Sequence, residues 1–265
     1  MVEIAAHEVG EGVQRVVFLH GLMGRGRNFQ TIAKRLGDGY RSLLVDVPNH
    51  GESGWTDHFH YVELADLIAG FLNTGFAYGG PVHLVGHSMG GKIAMVLALR
   101  HPQLVNRLVI EDIAPVNSAA TRSQFHHLIG SLAAIDPSTA TSRADVDELL
   151  RVSIPDDQVR GFLMQNLRPN GSGGYHWQAN IEVLLRDLSA VVGFPMLTEP
   201  PFPNPTLWIA GANSHYVRRE DLPRMRELFP AVRRMTINDS GHWVHSEQPE
   251  RFLAVLQYFL TVEGW

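Results

Sequence analysis

Ser88 lies in "VHLVGHSMGGKIAMVLALR", where an apolar run ends in Gly86-His87-Ser88-Met89-Gly90 and a helical pattern begins. A serine with glycines two residues before and two after, at a strand-to-helix junction, has the form of a nucleophile held on a strained turn. The glycines are needed because a Cβ at either position would collide where strand and helix converge. Ser88 Oγ is then expected above the first turn of the helix, whose N–H groups and dipole favour developing negative charge. That setting suits attack on a carbonyl carbon.

A serine nucleophile needs a base to take its proton and a third group to orient that base and offset its charge. Of the 14 histidines, only His242 in "NDSGHWVHSEQPE" falls in a turn between the last strand-like run and the terminal helix. His245 could join it as a metal ligand, but no zinc-protease pattern accompanies the pair, so no metal is expected and His245 is expected to pack or cap the loop. His20, ahead of Gly21, is expected to orient its loop by hydrogen bonding, and His50 in "DVPNHGES" to shape the floor near the sheet edge.

Several carboxylates compete for the acid. Asp46 and Asp239 sit in turns that use aspartate for local backbone bonding, and Glu52 lies in an early loop. Glu111 and Asp112 end the strand-like run after the nucleophile's helix, and their side chains must point opposite ways. Asp112 is closer to the carboxyl edge, where strand ends in such sheets meet ligands, and is therefore the expected acid.

These residues need a frame. Short β-branched or leucine-rich runs (13–19, 42–47, 82–85, 108–112, 206–210 and 233–237) alternate with helical patterns at 28–36, 61–72, 89–100, 222–229 and 249–260. That alternation predicts an α/β fold, a mostly parallel central sheet flanked by helices. It stops after Asp112 and resumes at Thr206. The intervening stretch reads as further helices, one of them behind a capping-box-like Ser142-x-x-Asp145, and returns through the proline-rich "GFPMLTEPPFPNP". The expected organisation is a core of residues 1–116 and 204–265 with an inserted helical cap of 117–203. "NGSGGYHW" inside the cap reads as a glycine-rich turn or mobile loop; without a preceding strand and a Gly-Lys-Ser/Thr ending it is no phosphate loop.

The chain has 265 residues, 45% of them hydrophobic, enough to bury a large core. A formal charge of −5 with 22 scattered basic residues provides no field for a nucleic-acid backbone. The absence of cysteine excludes disulfides and thiolate metal centres. No apolar run is long enough to span a bilayer and no secretion signal is visible, so a soluble, cytoplasmic protein without stable membrane insertion is expected.

The motifs "FLHGLMG", "VDVPNHGES", "GHSMGGK", "PTLWIAGANS" and "SGHWVHSEQPERFL", in this order across nearly the whole chain, resemble those of the α/β-hydrolases. More narrowly, the sequence is similar to compact bacterial esterases related to the abhydrolase-domain proteins, which have counterparts of "EDIAPV" and "GHWVH". The resemblance implies that the backbone N–H groups of Leu22 and Met89 form an oxyanion hole. It also implies that Ser214 stands where many members carry the acid, and that the acid has moved one strand over to Asp112. Ser214 is then an auxiliary hydrogen-bonding partner of Asp112 or His242.

The implied reaction is acyl transfer on small to medium acyl esters, with thioesters as a second possibility, by a serine carboxylesterase that requires no cofactor. Ser88 excludes the relatives that use aspartate at this turn to open epoxides or displace halide. Carbon–carbon bond hydrolysis, lactone hydrolysis, a synthase reaction on the same residues, or a ligand receptor with weak turnover are the competing readings. The pocket is expected between sheet edge and cap, with Leu22, Met23, Phe162, Trp177, Tyr216 and Trp243 as its liners.

Overall fold

A computed structural model describes residues 2–117 and 119–263; Met1, Ser118, Gly264 and Trp265, which the sequence ranges above include, lie outside the described residues. Seven strands form one sheet: β1 (Ala6–Val9), β2 (Gln14–Leu19), β3 (Tyr40–Val45), β4 (Val82–His87), β5 (Val105–Glu111), β8 (Thr206–Gly211) and β9 (Val232–Ile237). Their spatial order is β1-β3-β2-β4-β5-β8-β9, with β1 antiparallel to β3 and every other pairing parallel. The six strands expected from sequence are all present. β1 was not expected, because "AHEV" at the sheet edge is almost wholly exposed and carries no apolar alternation.

The interior strands are apolar on both faces because helices cover both. On one face α1 (Gln30–Arg35) and α11 (Pro249–Thr261) pack over Val16, Phe18, Val85, Val109 and Leu207. On the other face lie α2 (Tyr61–Thr74), α3 (Met89–Arg100) and α9 (Leu222–Leu228). Helix α3 is buried from Met89 to Leu99, which explains a sequence that is apolar all round rather than striped.

Between β5 and β8 the chain forms α4 (Ala119–Ala133), α5 (Arg143–Arg151), α6 (Asp157–Met164), the hairpin β6 (Leu167–Pro169) and β7 (Tyr175–Trp177), then α7 (Ile181–Arg186) and α8 (Leu188–Val192). Ser142 caps α5 in the reciprocal arrangement with Asp145 that the sequence suggested. The glycine-rich stretch is the turn of the small hairpin, with Gly171 and Gly173 at φ 79° and 98°. Apolar side chains of these helices, among them Ile129, Val146 and Leu184, join the core on the α3 face of the sheet. Residues 193–205 contain neither helix nor strand.

Register brings the chemistry-bearing residues to one edge. His87 is opposite Glu111 and Glu111 opposite Ile209, so the residues that follow these strands emerge side by side at the carboxyl ends.

Candidate active site

Ser88 leaves β4 with φ 52° and ψ −119°, a conformation that costs a non-glycine residue on the order of 1–3 kcal/mol. Its surroundings enforce it: the Ser88 N–H donates to Glu111 O at 3.0 Å, and Ser88 O accepts from the Lys92 N–H at 3.0 Å. A Cβ on Gly86 would stand 2.4 Å from Gly90 O, and one on Gly90 would stand 2.4 Å from both Leu19 O and His20 O. Strand, helix and the neighbouring loop approach one another only because both positions are glycine.

The structure brings Ser88, His242, Asp112 and Ser214 together. Asp112 is fully buried and adopts φ 50°, turning the chain out of the sheet. Its Oδ1 accepts the Gly211 N–H at 3.0 Å. Its Oδ2 accepts His242 Nδ1–H at 2.8 Å and the Ser214 hydroxyl. Because a carboxylate can only accept, the imidazole proton sits on Nδ1, and Nε2 is left to accept the Ser88 hydroxyl, 2.9 Å away. Ser214 Oγ also accepts the Tyr216 N–H at 3.2 Å. The Tyr216 ring stacks on His242 with centroids 3.9 Å apart and planes at 22°, which fixes the imidazole's tilt. Burial, and then the Asp112 charge, push the Tyr216 phenol up to about 12, so its hydroxyl stays protonated near neutral pH.

The loop carrying His242 is braced from below. His87 Nε2–H donates to His242 O at 2.9 Å, and burial followed by the neighbouring His242 and His245 charges holds His87 well below its ordinary pKa, hence neutral. Glu111 Oε1 accepts both the N–H and Nδ1–H of His245 at 2.8 Å, at the start of α10 (Val244–Glu247). Donor atoms of His87, Glu111 and His245 lie within 4.8 Å of one another, a set that could hold a divalent cation. Their hydrogen bonds instead tie the His242 loop to β4 and β5.

The remaining expected residues divide. Leu22 and Met89 both flank Ser88 at a small recess of about 20 Å³. Leu22, Met23, Phe162, Tyr216 and Trp243 line a cavity of about 190 Å³ that opens onto Ser88 and His242. Trp177 does not line it. That side chain sits in β7 opposite Leu167, packs against the main core, and leaves its buried indole N–H without a partner. His20 has the loop-orienting geometry: Val47 N–H donates to its Nε2 at 3.0 Å and its Nδ1–H donates to Gly21 O at 2.8 Å. Asp46 accepts the N–H groups of Gly26 and Glu52 at 2.7 and 2.8 Å, the local bonding expected of it.

Two features were not foreseen. Lys92, one turn after Ser88, is buried at 2% exposure and donates to Val116 O, Val192 O and Gly193 O at 3.2, 2.8 and 2.7 Å. Burial lowers its pKa to about 7. Near the other end of the cavity, Gln165 Nε2 and Asn166 Nδ2 both donate to Met23 O, at 3.1 and 2.8 Å, tying α6 to the Leu22 loop. The lone lysine in an apolar helix was a readable signal; the amide contacts depend on a meeting of distant segments and had none.

A model of the alpha/beta hydrolase family matches residues 16–255. The sn-1-specific diacylglycerol lipase ABHD11 of Mus musculus is 37% identical over 253 residues, covering 93% of this chain and 80% of that protein. Esterase YbfF of Escherichia coli is 29% identical over 246 residues, covering 93% and 92%. Among solved structures, a marine microorganism esterase superposes with a TM-score of 0.93 at 32% identity over 98% of this chain and 100% of that one.

Proposed function

The chain belongs to the alpha/beta hydrolase family and is a hydrolase of the esterase–lipase type, and from that premise we propose a serine carboxylesterase that cleaves small to medium acyl esters or thioesters through an acyl-enzyme. The observation that carries this reading is the unbroken hydrogen-bonded line from Ser88 Oγ through His242 to Asp112, at 2.9 and 2.8 Å.

Along that line Ser88 Oγ attacks the acyl carbonyl as His242 Nε2 takes its proton. Asp112 holds the ring in the correct tautomer and offsets the positive charge it gains. The N–H groups of Leu22 and Met89 receive the oxyanion. The tetrahedral intermediate collapses, and the leaving alcohol or thiol takes the proton from His242. Water then attacks the acyl-enzyme with His242 as base, and Ser88 is released. Ser214 supports the charged form of Asp112. Residues 117–203 serve as the cap, and the apolar walls of the 190 Å³ cavity suit a short to medium acyl chain.

A fluorophosphonate probe followed by mass spectrometry tests the reading. The expected result is labelling on the Ser88 peptide in the wild type and none in Ser88→Ala. An unlabelled wild type, or a variant labelled equally well, would overturn it.

A further inference from the structure

At the β1–β3 edge of the sheet lies a polar recess of about 150 Å³ whose walls include Arg25, Arg27 and Arg168, with His7, Asp46 and Glu52. Among the described residues none of the three arginines takes part in a salt bridge. Arg25 Nε is buried without any hydrogen-bond partner, an arrangement that is costly for a charged donor and calls for an acceptor. Arg168 is depressed from its ordinary pKa by burial, then by the charges of Arg25 and Arg143, while Glu52 and Asp46 offset only part of this. Both Asp46 oxygens accept backbone N–H groups, which fixes the carboxylate in place and leaves its negative charge in the recess.

Three guanidinium groups against the two carboxylates Asp46 and Glu52, one guanidinium with a buried free donor, leave the recess with an excess of positive charge that an anion would complement. Guanidinium groups match the planar, bidentate geometry of phosphate oxygens. Among the described residues the recess and the active-site cavity share no lining residue, but two short stretches of chain lead from one to the other. Arg25 is two residues beyond Met23, which lines the cavity, and Arg168 is two residues beyond Asn166, whose amide holds Met23 O. Its floor includes Ala6 and His7 of β1, and β1 stands three strand positions from β4, a sideways separation of about 14 Å from the strand that leads to Ser88 at the usual strand spacing.

We propose that Arg25, Arg27 and Arg168 form a subsite for a phosphate group carried on the leaving-group side of the substrate, on an alcohol or thiol long enough to cross that distance. The inference deepens the acyl-transfer reading above and rests on it. Phosphate of this kind occurs on a nucleotide-bearing thiol such as coenzyme A or on a glycerophosphate headgroup, and two substrate pairs separate these sources. Each pair has one acyl group: butyryl-coenzyme A against S-butyryl-N-acetylcysteamine, and butyryl-glycerol 3-phosphate against butyrylglycerol.

The expected result is a kcat/KM at least tenfold higher for the phosphate-bearing member of one pair. That ratio should shrink about tenfold in Arg25→Gln or Arg168→Gln and fall as salt is raised. Arg168 also donates to Gln165 O and Leu167 O, so Arg27→Gln, an exposed position, gives a second variant free of that structural role. A ratio near one in both pairs, or one that survives all three substitutions, would overturn the subsite. No turnover of any of the four substrates would overturn the acyl-transfer reading instead; the subsite is then decided by calorimetric titration of Ser88→Ala with coenzyme A and glycerol 3-phosphate, where absence of binding to both refutes it.

Discussion

Ser214 and His242 donate to the same oxygen of Asp112, Oδ2, while Gly211 N–H holds the other. In the proposed triad the acid therefore comes from β5, and the hydroxyl that follows β8 meets it instead of replacing it. A carboxylate fixed by three donors has little freedom to rotate, and its negative charge is stabilised without being neutralised.

Replacing Asp112 by Asn should lower kcat by on the order of 10³ to 10⁴, because an amide presents an N–H to the imidazole and favours the wrong tautomer. Ser214→Ala removes one neutral donor from a charge that keeps two, and should cost on the order of tenfold or less. Steady-state kinetics on a p-nitrophenyl ester measures both. Near-wild-type turnover in Asp112→Asn would remove the acid from this position.

Gly86→Ala and Gly90→Ala should each destabilise the fold by on the order of 3 kcal/mol or more, because the atoms a Cβ would strike are backbone and cannot swing aside. Denaturant unfolding followed by circular dichroism reads the loss. An unshifted midpoint in either variant would mean that strand and helix do not converge there.

Lys92 gives a pH signature. Its folded value of about 7 lies below the unfolded reference of about 10.4, so between them the unfolded chain holds a proton that the folded protein has lost. Stability should therefore rise with pH across that window, by up to about 1.4 kcal/mol per unit, relative to Lys92→Met. Below pH 7 both states keep the proton and the two curves should run parallel. Parallel curves at pH 7–9 as well would contradict the burial of this amine.

Acid should act through His50. Fully buried, its folded value falls to about 3, and burial is the main cause. As pH drops below about 6.5 the unfolded chain takes up a proton that the folded protein refuses, so stability is lost progressively between about 6.5 and 3. His50→Gln should flatten the acid limb of the stability curve while lowering the plateau. An unchanged acid slope would show that His50 is hydrated.

Much of this was legible because the sheet writes itself into short apolar runs and the Ser88 turn into two glycines. Asp112 was readable by its position one residue nearer the carboxyl edge than Glu111, and its partners followed from register. Trp177 was misplaced because an aromatic in an inserted segment looks alike whether it faces a cavity or packs in a hairpin. β1 was missed for the opposite reason: an edge strand held by backbone pairing needs no apolar side chains, so "AHEV" leaves no pattern. Lys92's three acceptors come from segments up to about a hundred residues away, a meeting that no local pattern encodes.

The double amide grip on Met23 O links two events that could have been separate. Lifting α6 off the sheet edge to admit a ligand requires those bonds to break, and breaking them frees the very segment that carries Leu22. Doorway and anvil would then hang on one hinge pin: in the proposed acyl transfer, a ligand that parts these two segments also loosens the loop whose Leu22 N–H is to receive the oxyanion.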